Sequence, residues 1–261
     1  MPGSGKILAG ESRPGPAGRW DTEMAERLSE IVAGTIGRRI VSGQYLPGDT
    51  LPTEPRIQEE FGVSRTAVRE AIRLLSAKGL TASRPKIGTR VRPTVDWNML
   101  DPEVLRWQVD QSPSEEFIHD LFDMREIIEP AACSRAAERA TEEQLEILRV
   151  AMDGIKNEPR GSPEQIKADV EFHMGILDAS RNPMLRSVGA MIQSALSITF
   201  SLSWRTAMRD DAVIQHRDVY DAIRDRKPEE AFMAMRRLLR ASKGDVFDAI
   251  WASRQNGEDI R

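Results

Sequence analysis

Three side chains in the second half of the sequence have the chemistry to share one divalent metal ion. Asp169 and His173 are four residues apart in ADVEFHMGIL, so both project from one face if the segment is helical. His216, in IQHRDVYDAI, could supply a third ligand from another helix. A carboxylate and imidazoles suit several metals, among them Zn, Mn and Ni, and the ligand types do not choose between them. The same spacing is also typical of a hydrogen bond on a helix surface, so both interpretations stand.

A second polar pattern lies in a segment that is otherwise apolar. Residues 187–204 contain no charged side chain, which predicts a helix buried on most sides. Ser194, Ser197 and Ser201 recur in it at spacings of three and four, and Trp204 extends the stripe. Buried hydroxyls need hydrogen-bond partners. They could line a polar cavity, or they could bond to carbonyls of their own helix, and the sequence favours neither.

The segments that must position these residues are helical. From residue 102 onward the apolar residues recur with helical periodicity, and no strand alternation occurs. Ser114, Thr141 and Ser162 suit helix N-caps, and proline-containing breaks lie at 182–183 and 227–228. We therefore predict an all-helical bundle with helices at residues 102–111, 114–139, 142–157, 163–180, 184–206, 211–226 and 228–251.

A different chemistry is concentrated earlier, in FGVSRTAVREAIRLLSAKGL. Arg65, Arg69 and Arg73 are spaced by four and share one helix face, while Val68 and Ile72 belong to an apolar face. Such a helix can pack on one side and display positive charge on the other. An ordinary amphipathic surface helix would look the same.

The segments on either side of this helix favour a DNA-binding unit. LPTEPRIQEEFGV predicts a short helix that Gly62 ends, and Ser64 can cap the basic helix. After Gly79, LTASRPKIGTRVRP predicts a small hairpin, or wing. Between residues 61 and 92 there are eight lysines and arginines and one acid, although the whole chain has a formal net charge of -4. This concentration of positive charge suits DNA phosphates and base edges.

The N-terminal stretch GQYLPGDTLPTEPRIQEEFGVSRTAVREAIRLLSAKGLTASRPKIGTRV resembles the winged-helix domain of GntR-family bacterial transcription regulators. The resemblance implies binding to double-stranded operator DNA. The positions that contact the operator in that family correspond to Ser64, Arg65, Thr66, Ala67 and Arg69, with Lys86 and Gly88 at a wing tip that reaches the minor groove. The family often has arginine directly after L-P-[ST]-E, where this chain has Pro55, which cannot make a charged contact.

Beyond residue 102 the chain resembles the helical FCD ligand-binding domain of the FadR subfamily. MREIIEPAACSRAAERAT, DVEFHMGILDASRNPML and QHRDVYDAIRDRKPEEAFMAM match its recurrent segments in order. The resemblance implies that Asp169, His173 and His216 hold a divalent metal ion. Many members add a fourth histidine where this chain has Leu238, so we expect an open site with three ligands. Arg125 matches an arginine that pairs with the carboxylate of a ligand.

The segment DWNMLDPEVLRW and the missing fourth histidine also resemble the regulators that respond to galactonate and related sugar acids. A sugar acid could coordinate the metal through its carboxylate and α-hydroxyl, and Arg125 could bind the remaining carboxylate oxygen. The further effector contacts predicted from the serine stripe are Ser194, Ser197, Ser201 and Trp204. We expect a homodimer on a two-fold operator, with release from DNA when the effector binds, as in a repressor.

Three rival functions remain at this point. A metal-dependent enzyme would need a general base, but Glu171 lies two helical positions from Asp169 and points to the opposite side, and His119 has no recognisable partner. A direct metal sensor would need a complete, closed ligand set. An acyl-chain sensor would have an apolar pocket and no use for the three metal ligands. We predict that the chain is not an enzyme.

Composition agrees with a two-domain globular protein. The chain has 261 residues, of which 40% are hydrophobic and 30% are charged. A single cysteine, Cys133, excludes an internal disulfide and favours the reducing cytoplasm. No apolar run is long enough to predict a membrane span. We predict a tail at residues 1–19, a winged domain at 20–92, a linker at 93–101, a helical domain at 102–251 and a tail at 252–261.

Overall fold

A computed structural model describes residues 16–111, 113–203 and 210–255 of the chain. The chain divides into two units, with the boundary after Asn98. Within the described ranges, every helix is too short or too polar to span a bilayer.

The N-terminal unit is a winged helix-turn-helix, as predicted. Its elements are α1 (Pro16–Val41), α2 (Glu54–Phe61), α3 (Arg65–Ala77), β1 (Thr81–Arg84) and β2 (Gly88–Val91). Gly62, with φ 63°, ends α2 in the left-handed conformation that glycine adopts most easily. At the start of α3 the Ser64 hydroxyl oxygen accepts a hydrogen bond from the backbone N–H of Ala67 at 3.2 Å. The two strands pair antiparallel.

The core of this unit lies between α1 and α3, which pack against each other. Val68 and Leu75 of α3 are fully buried, and so are Ile36 and Ile40 of α1. Helix α1 begins inside the predicted tail of residues 1–19, because its helical backbone starts at Pro16.

Most of the predicted linker belongs to the N-terminal unit. A short 3₁₀ turn covers Thr94–Asp96, after which the Trp97 indole N–H donates to the Arg92 carbonyl at 3.0 Å and the ring is buried. Gly79 makes this packing possible. Its φ is +77°, and a Cβ at this position would lie 2.2 Å from the Asp96 carbonyl oxygen. The chain therefore leaves the unit after Asn98 and not at residue 92.

The C-terminal unit is all helical over its described residues. Its helices are α4 (Pro102–Asp110), α5 (Glu115–Arg139), α6 (Glu142–Asn157), α7 (Pro163–Ala179), α8 (Pro183–Arg186), α9 (Gly189–Ser203), α10 (Asp210–Arg224) and α11 (Pro228–Gln255). Helix α5 packs against α7, α9, α10 and α11, and its residues Phe122, Cys133 and Ala136 are completely buried. This central position places α5 beside the helices that carry the predicted metal ligands.

The helix predicted at 184–206 is divided in two. Helix α8 ends at Arg186 and α9 begins at Gly189. The Ser187 hydroxyl donates to the Pro183 carbonyl at 3.0 Å within the intervening turn. A Cβ on Gly189 would lie 2.4 Å from the Met174 Cε atom of α7, so the break coincides with a close approach between helices. Helix α11 continues to Gln255, into the predicted tail of residues 252–261.

Candidate functional site

The structure brings together the three predicted metal ligands. Asp169 and His173 lie on α7, His216 lies on α10, and all three are at least 97% buried. Their candidate ligand atoms lie within 4.8 Å of one another. Asp169 Oδ1 is 2.8 Å from His216 Nε2, and Asp169 Oδ2 is 3.9 Å from His173 Nε2. The spacing of four on α7 therefore builds a buried cluster rather than a surface hydrogen bond.

The orientation of His216 suits a metal ligand. Its Nδ1 lies 2.7 Å from the Ala212 carbonyl oxygen, so Nδ1–H donates to that carbonyl and the lone pair belongs to Nε2. Nε2 is buried, and Asp169 Oδ1 lies close to it without the geometry of a normal hydrogen bond. The lone pair of Nε2 in the neutral imidazole and the carboxylate oxygen repel each other unless a proton or a cation lies between them. The donor set thus fits a divalent ion.

Burial and charge act in opposite directions on this pair. Burial raises the pKa of Asp169, but the positive charges of His216, His173 and Arg125 together outweigh burial, and the pKa of the carboxyl lies below its ordinary value. Burial lowers the pKa of His216, but Asp169 and the hydrogen bond to the Ala212 carbonyl together raise it by more, and the imidazole pKa lies above its ordinary value. Without a cation, the two groups therefore stabilise each other as an ion pair.

Glu129 of α5 is a member of this site that the sequence analysis did not identify. Its Oε1 accepts a hydrogen bond from Arg125 Nε at 2.5 Å, and its Oε2 contacts Nδ1 of His173. Burial raises the pKa of Glu129, but the positive charges of Arg125 and His173 outweigh burial and lower the pKa to about 2. The available signal was the spacing of four between Arg125 and Glu129 in REIIE, which is equally typical of exposed helix pairs.

A cavity of about 440 Å³ adjoins the cluster and is large enough for a small organic molecule. Arg125 contributes to its wall, and the buried Nη1 of this guanidinium has no hydrogen-bond partner within the described residues. The metal-ligand candidates line the cavity, as do the apolar residues Leu196, Phe200, Leu238 and Leu239 and the acidic residues Asp211, Asp245 and Asp248.

The serine stripe is placed differently. The Ser194 hydroxyl donates to the Ala190 carbonyl at 2.9 Å, and the Ser197 hydroxyl donates to the Gln193 carbonyl at 2.9 Å. Neither serine lines the cavity, which α9 reaches through Leu196, Thr199 and Phe200 instead. For these two serines the structure follows the interpretation in which hydroxyls bond to their own helix. Only the backbone of Ser201 is described, and Trp204 lies outside the described residues.

The basic face predicted on α3 is exposed. The side chains of Arg65, Arg69 and Arg73 are 66%, 60% and 74% accessible. Glu54 of α2 lies next to two of them, with its Oε2 at 3.4 Å from Arg65 Nε and 3.2 Å from Arg69 Nε. Glu70 pairs with Arg73. The arginines predicted to contact the operator are thus oriented by a carboxylate that the sequence analysis did not consider.

The other predicted DNA contacts differ in exposure. Ser64 and Thr66 are exposed, and so are Lys86 and Gly88 at the tip of the wing, where φ is 65° and 96°. The side chain of Ala67 is 2% exposed and packs in the core of the unit. This burial removes the Ala67 side chain from the surface on which we predicted a DNA contact.

Comparison with known proteins defines the class. Residues 28–91 match the family described as bacterial regulatory proteins, gntR family, and residues 120–241 match the FCD domain. The chain therefore belongs to the GntR family of bacterial transcription regulators, with an FCD domain after the winged helix. Proteins of this family regulate transcription and are not enzymes, which confirms the prediction on enzymatic activity.

The matches to individual relatives extend over almost the whole length of those proteins. The chain is 38% identical to the uncharacterized HTH-type transcriptional regulator YieP of Escherichia coli over 83% of this chain and 94% of that protein. It is 32% identical to the galactonate operon transcriptional repressor of Escherichia coli over 84% of this chain and 96% of that protein. Among solved structures, the Listeria monocytogenes regulator Lar has the same fold, with a TM-score of 0.55, 19% identity, and coverage of 85% of this chain and 97% of that one.

Proposed function

We propose that this GntR-family regulator is a repressor controlled by a small sugar acid that binds beside a metal ion in the FCD domain. The observation that carries the proposal is the cavity, because it combines the buried cluster of Asp169, His173 and His216 with the unpartnered Nη1 of Arg125. This combination offers two separate positive partners to one carboxylate. It is also the arrangement expected for the FadR subfamily.

The three ligands would hold a divalent ion such as Zn, Mn or Ni, and the bound ion would supply coordination positions for oxygen atoms of the effector. Arg125 lines the cavity and would bind a carboxylate oxygen through Nη1, which has no hydrogen-bond partner within the described residues. The name of the relative that represses the galactonate operon supports a sugar acid as the effector class. The apolar side of the cavity would shield these polar contacts from water.

Operator binding belongs to the N-terminal unit. Arg65 and Arg69 can pair with guanine O6 and N7 in the major groove, and the wing tip at Lys86 would contact the backbone or minor groove. A single winged helix reads few base pairs, so we propose a homodimer on two half-sites. The effector changes operator affinity only if it binds one arrangement of the dimer better than the other.

The test uses an operator selected from random DNA with the full-length protein. Fluorescence anisotropy then measures operator affinity with Zn²⁺, with galactonate, and with both. We expect galactonate to weaken operator binding at least tenfold in the metal-loaded wild type. His216→Ala should bind the operator normally and lose both the metal and this response. His119→Ala is the matched control, because His119 is an exposed histidine of the same unit.

Three outcomes would contradict parts of the proposal. Release by Zn²⁺ alone would make the protein a metal sensor. Normal release of a metal-free His216→Ala variant by galactonate would remove the metal from the mechanism. Binding of one chain to one half-site would exclude the homodimer on two half-sites.

A further inference from the structure

We infer that Glu129 is a positioning residue whose two carboxylate oxygens orient the metal-ligating His173 and the effector-binding Arg125, and so couple the two subsites. This inference rests on the proposed function, and it assigns a role to a residue that contacts neither the solvent nor the operator. Glu129 and its two partners are all at least 97% buried.

Each oxygen of Glu129 has its own partner. Oε1 accepts from Arg125 Nε at 2.5 Å, one helical turn away on α5. Oε2 contacts Nδ1 of His173, which lies on α7. A buried carboxylate needs such partners, because an unpaired charge in the interior is strongly unfavourable. Neither oxygen is therefore free to bind an effector in the cavity, and Glu129 acts on the site only through Arg125 and His173.

The contact with Oε2 determines which nitrogen of His173 faces the other ligands. An ionised carboxylate only accepts hydrogen bonds, so Nδ1 must carry the proton. Nε2 then presents its lone pair on the side of Asp169, whose Oδ2 is 3.9 Å away. The Ala212 carbonyl imposes the same arrangement on His216. Of the two imidazoles, only His173 depends on a side chain for this orientation, and substitution can test it.

The contact with Oε1 determines the direction of the arginine. The guanidinium group is planar, so the hydrogen bond from Nε to Glu129 Oε1 orients the whole group. The Phe122 ring supports this plane, with its centroid 5.5 Å from the Arg125 Cζ atom. Nη1 is left without a hydrogen-bond partner within the described residues, and Arg125 lines the cavity. The same carboxylate therefore aims both the arginine and the imidazole.

Sharing one carboxylate makes the two subsites energetically dependent. A metal ion bound to Nε2 of His173 would make the Nδ1–H group a stronger hydrogen-bond donor to Oε2. The stronger bond would hold Glu129 in place, and Glu129 would in turn hold Arg125 in the orientation that binds a carboxylate. Coupling of this kind is reciprocal, so the effector should raise metal affinity by the same factor by which metal raises effector affinity.

Glu129→Gln separates the two contacts while keeping the size of the side chain. A glutamine has one accepting oxygen and one donating nitrogen. If its oxygen accepts from Arg125, its NH₂ group must donate to Nδ1 of His173, which moves the imidazole proton to Nε2 and blocks metal ligation. If its oxygen accepts from His173, the NH₂ group faces the Nε–H donor of Arg125. The first arrangement should prevail, because a guanidinium can only donate whereas an imidazole can move its proton to the other nitrogen.

The first measurement is the protonation of the histidine nitrogens in the metal-free full-length protein, by long-range ¹H–¹⁵N NMR with ¹⁵N-histidine at pH 8. The sequence has only three histidines, so His119→Ala and His216→Ala assign the signals. We expect Nδ1 of His173 to carry its proton in the wild type and to lose it in Glu129→Gln. A wild-type His173 with an unprotonated Nδ1 overturns the inference, whatever the variants do.

The second measurement is Zn²⁺ affinity by competition with a chromophoric chelator, with and without galactonate. Loss of a partner of this kind typically costs about 10–100-fold in metal affinity, and we expect Glu129→Gln to fall in that range. Glu126→Gln is the control, since Glu126 lies on the same helix and its partner Arg240 is at 3.7 Å on the surface. Arg125→Gln, which removes the proposed partner of the effector carboxylate, should lose the response to galactonate.

The outcomes separate this inference from the proposed function. If the wild type binds Zn²⁺ and Glu129→Gln binds it as tightly as Glu126→Gln, the positioning role is wrong and the metal site stands. If the wild type and His216→Ala bind Zn²⁺ equally, the metal site of the proposed function is wrong, and the NMR measurement alone decides the role of Glu129.

Discussion

The buried contact between Arg125 and Glu129 allows a quantitative prediction about stability. Their side chains are 1% and 2% exposed, and the bond between them is 2.5 Å long. Removing one partner of such a pair leaves an uncompensated buried charge and costs about 3–5 kcal/mol. We expect each of Arg125→Met and Glu129→Leu to lower the free energy of unfolding of the helical unit by about that amount in the metal-free protein.

The double variant should be much less damaging than the sum of the single ones. Arg125→Met with Glu129→Leu removes both charges and leaves mainly the Nδ1–H group of His173 without a partner. A buried donor without a partner costs about 1–3 kcal/mol. The two single costs together amount to about 6–10 kcal/mol, so the cycle should show a coupling free energy of at least about 3 kcal/mol.

The single cysteine provides an assay that reports on the helical unit alone. Cys133 lies on α5 and is fully buried, and burial, with a smaller contribution from Glu129, raises the pKa of its thiol. Thiol labelling in increasing urea, with a chelator present, therefore measures the opening of this unit. Arg240→Met is the control, because Arg240 is 62% exposed and surface changes cost within about 0.5 kcal/mol.

Two results would refute this reasoning. The first is an Arg125→Met variant no less stable than Arg240→Met. The second is a double variant that has lost the full sum of the single effects, because the charges would then act independently despite their contact.

Three further predictions concern the N-terminal unit. Arg65→Ala should weaken operator binding about tenfold or more without changing galactonate binding, since a base contact by arginine is worth about 1–3 kcal/mol. If the variant and the wild type have equal operator affinity in anisotropy, the basic face of α3 does not contact the bases as predicted. Gly79→Ala should cost at least about 1–2 kcal/mol from its left-handed conformation alone, before the conflict with the Asp96 carbonyl, and calorimetry should show a lower unfolding temperature. Ser64→Ala should cost about 1 kcal/mol in the same assay, because the Ala67 N–H loses its cap.

The helix bounds in the C-terminal unit could be predicted largely because they depend on local signals. Thr141 and Gln144 form a capping box, in which each side chain bonds the backbone N–H of the other residue, and the helix predicted at 142–157 has those bounds in the structure. Ser114 and Ser162 cap α5 and α7 by accepting from backbone N–H groups three residues on. Caps and breakers act within one turn, so a sequence contains all the information that they need.

The features that the sequence did not predict depend on contacts between distant segments. The break before Gly189 coincides with a close approach to Met174, fifteen positions earlier on another helix. The role of Glu129 depends on His173, which is 44 positions away. Periodicity predicts that a face is buried, but it does not say which neighbours cover it.

Leu238 allows a test of why the predicted site has three ligands. It is the position at which many FCD domains have a further histidine, and it lines the cavity together with His216 and Arg125. A fourth imidazole there would occupy a coordination position that we propose for the effector. Leu238→His should therefore raise Zn²⁺ affinity at least tenfold and weaken release from the operator by galactonate. Leu239→His is the control, because Leu239 also lines the cavity but lies one helical position, or about 100°, away.

Unchanged Zn²⁺ affinity in Leu238→His would mean that this position does not face the metal. Tighter Zn²⁺ binding with undiminished release would mean that the effector does not use the open position, so Arg125 would have to carry carboxylate recognition without the metal.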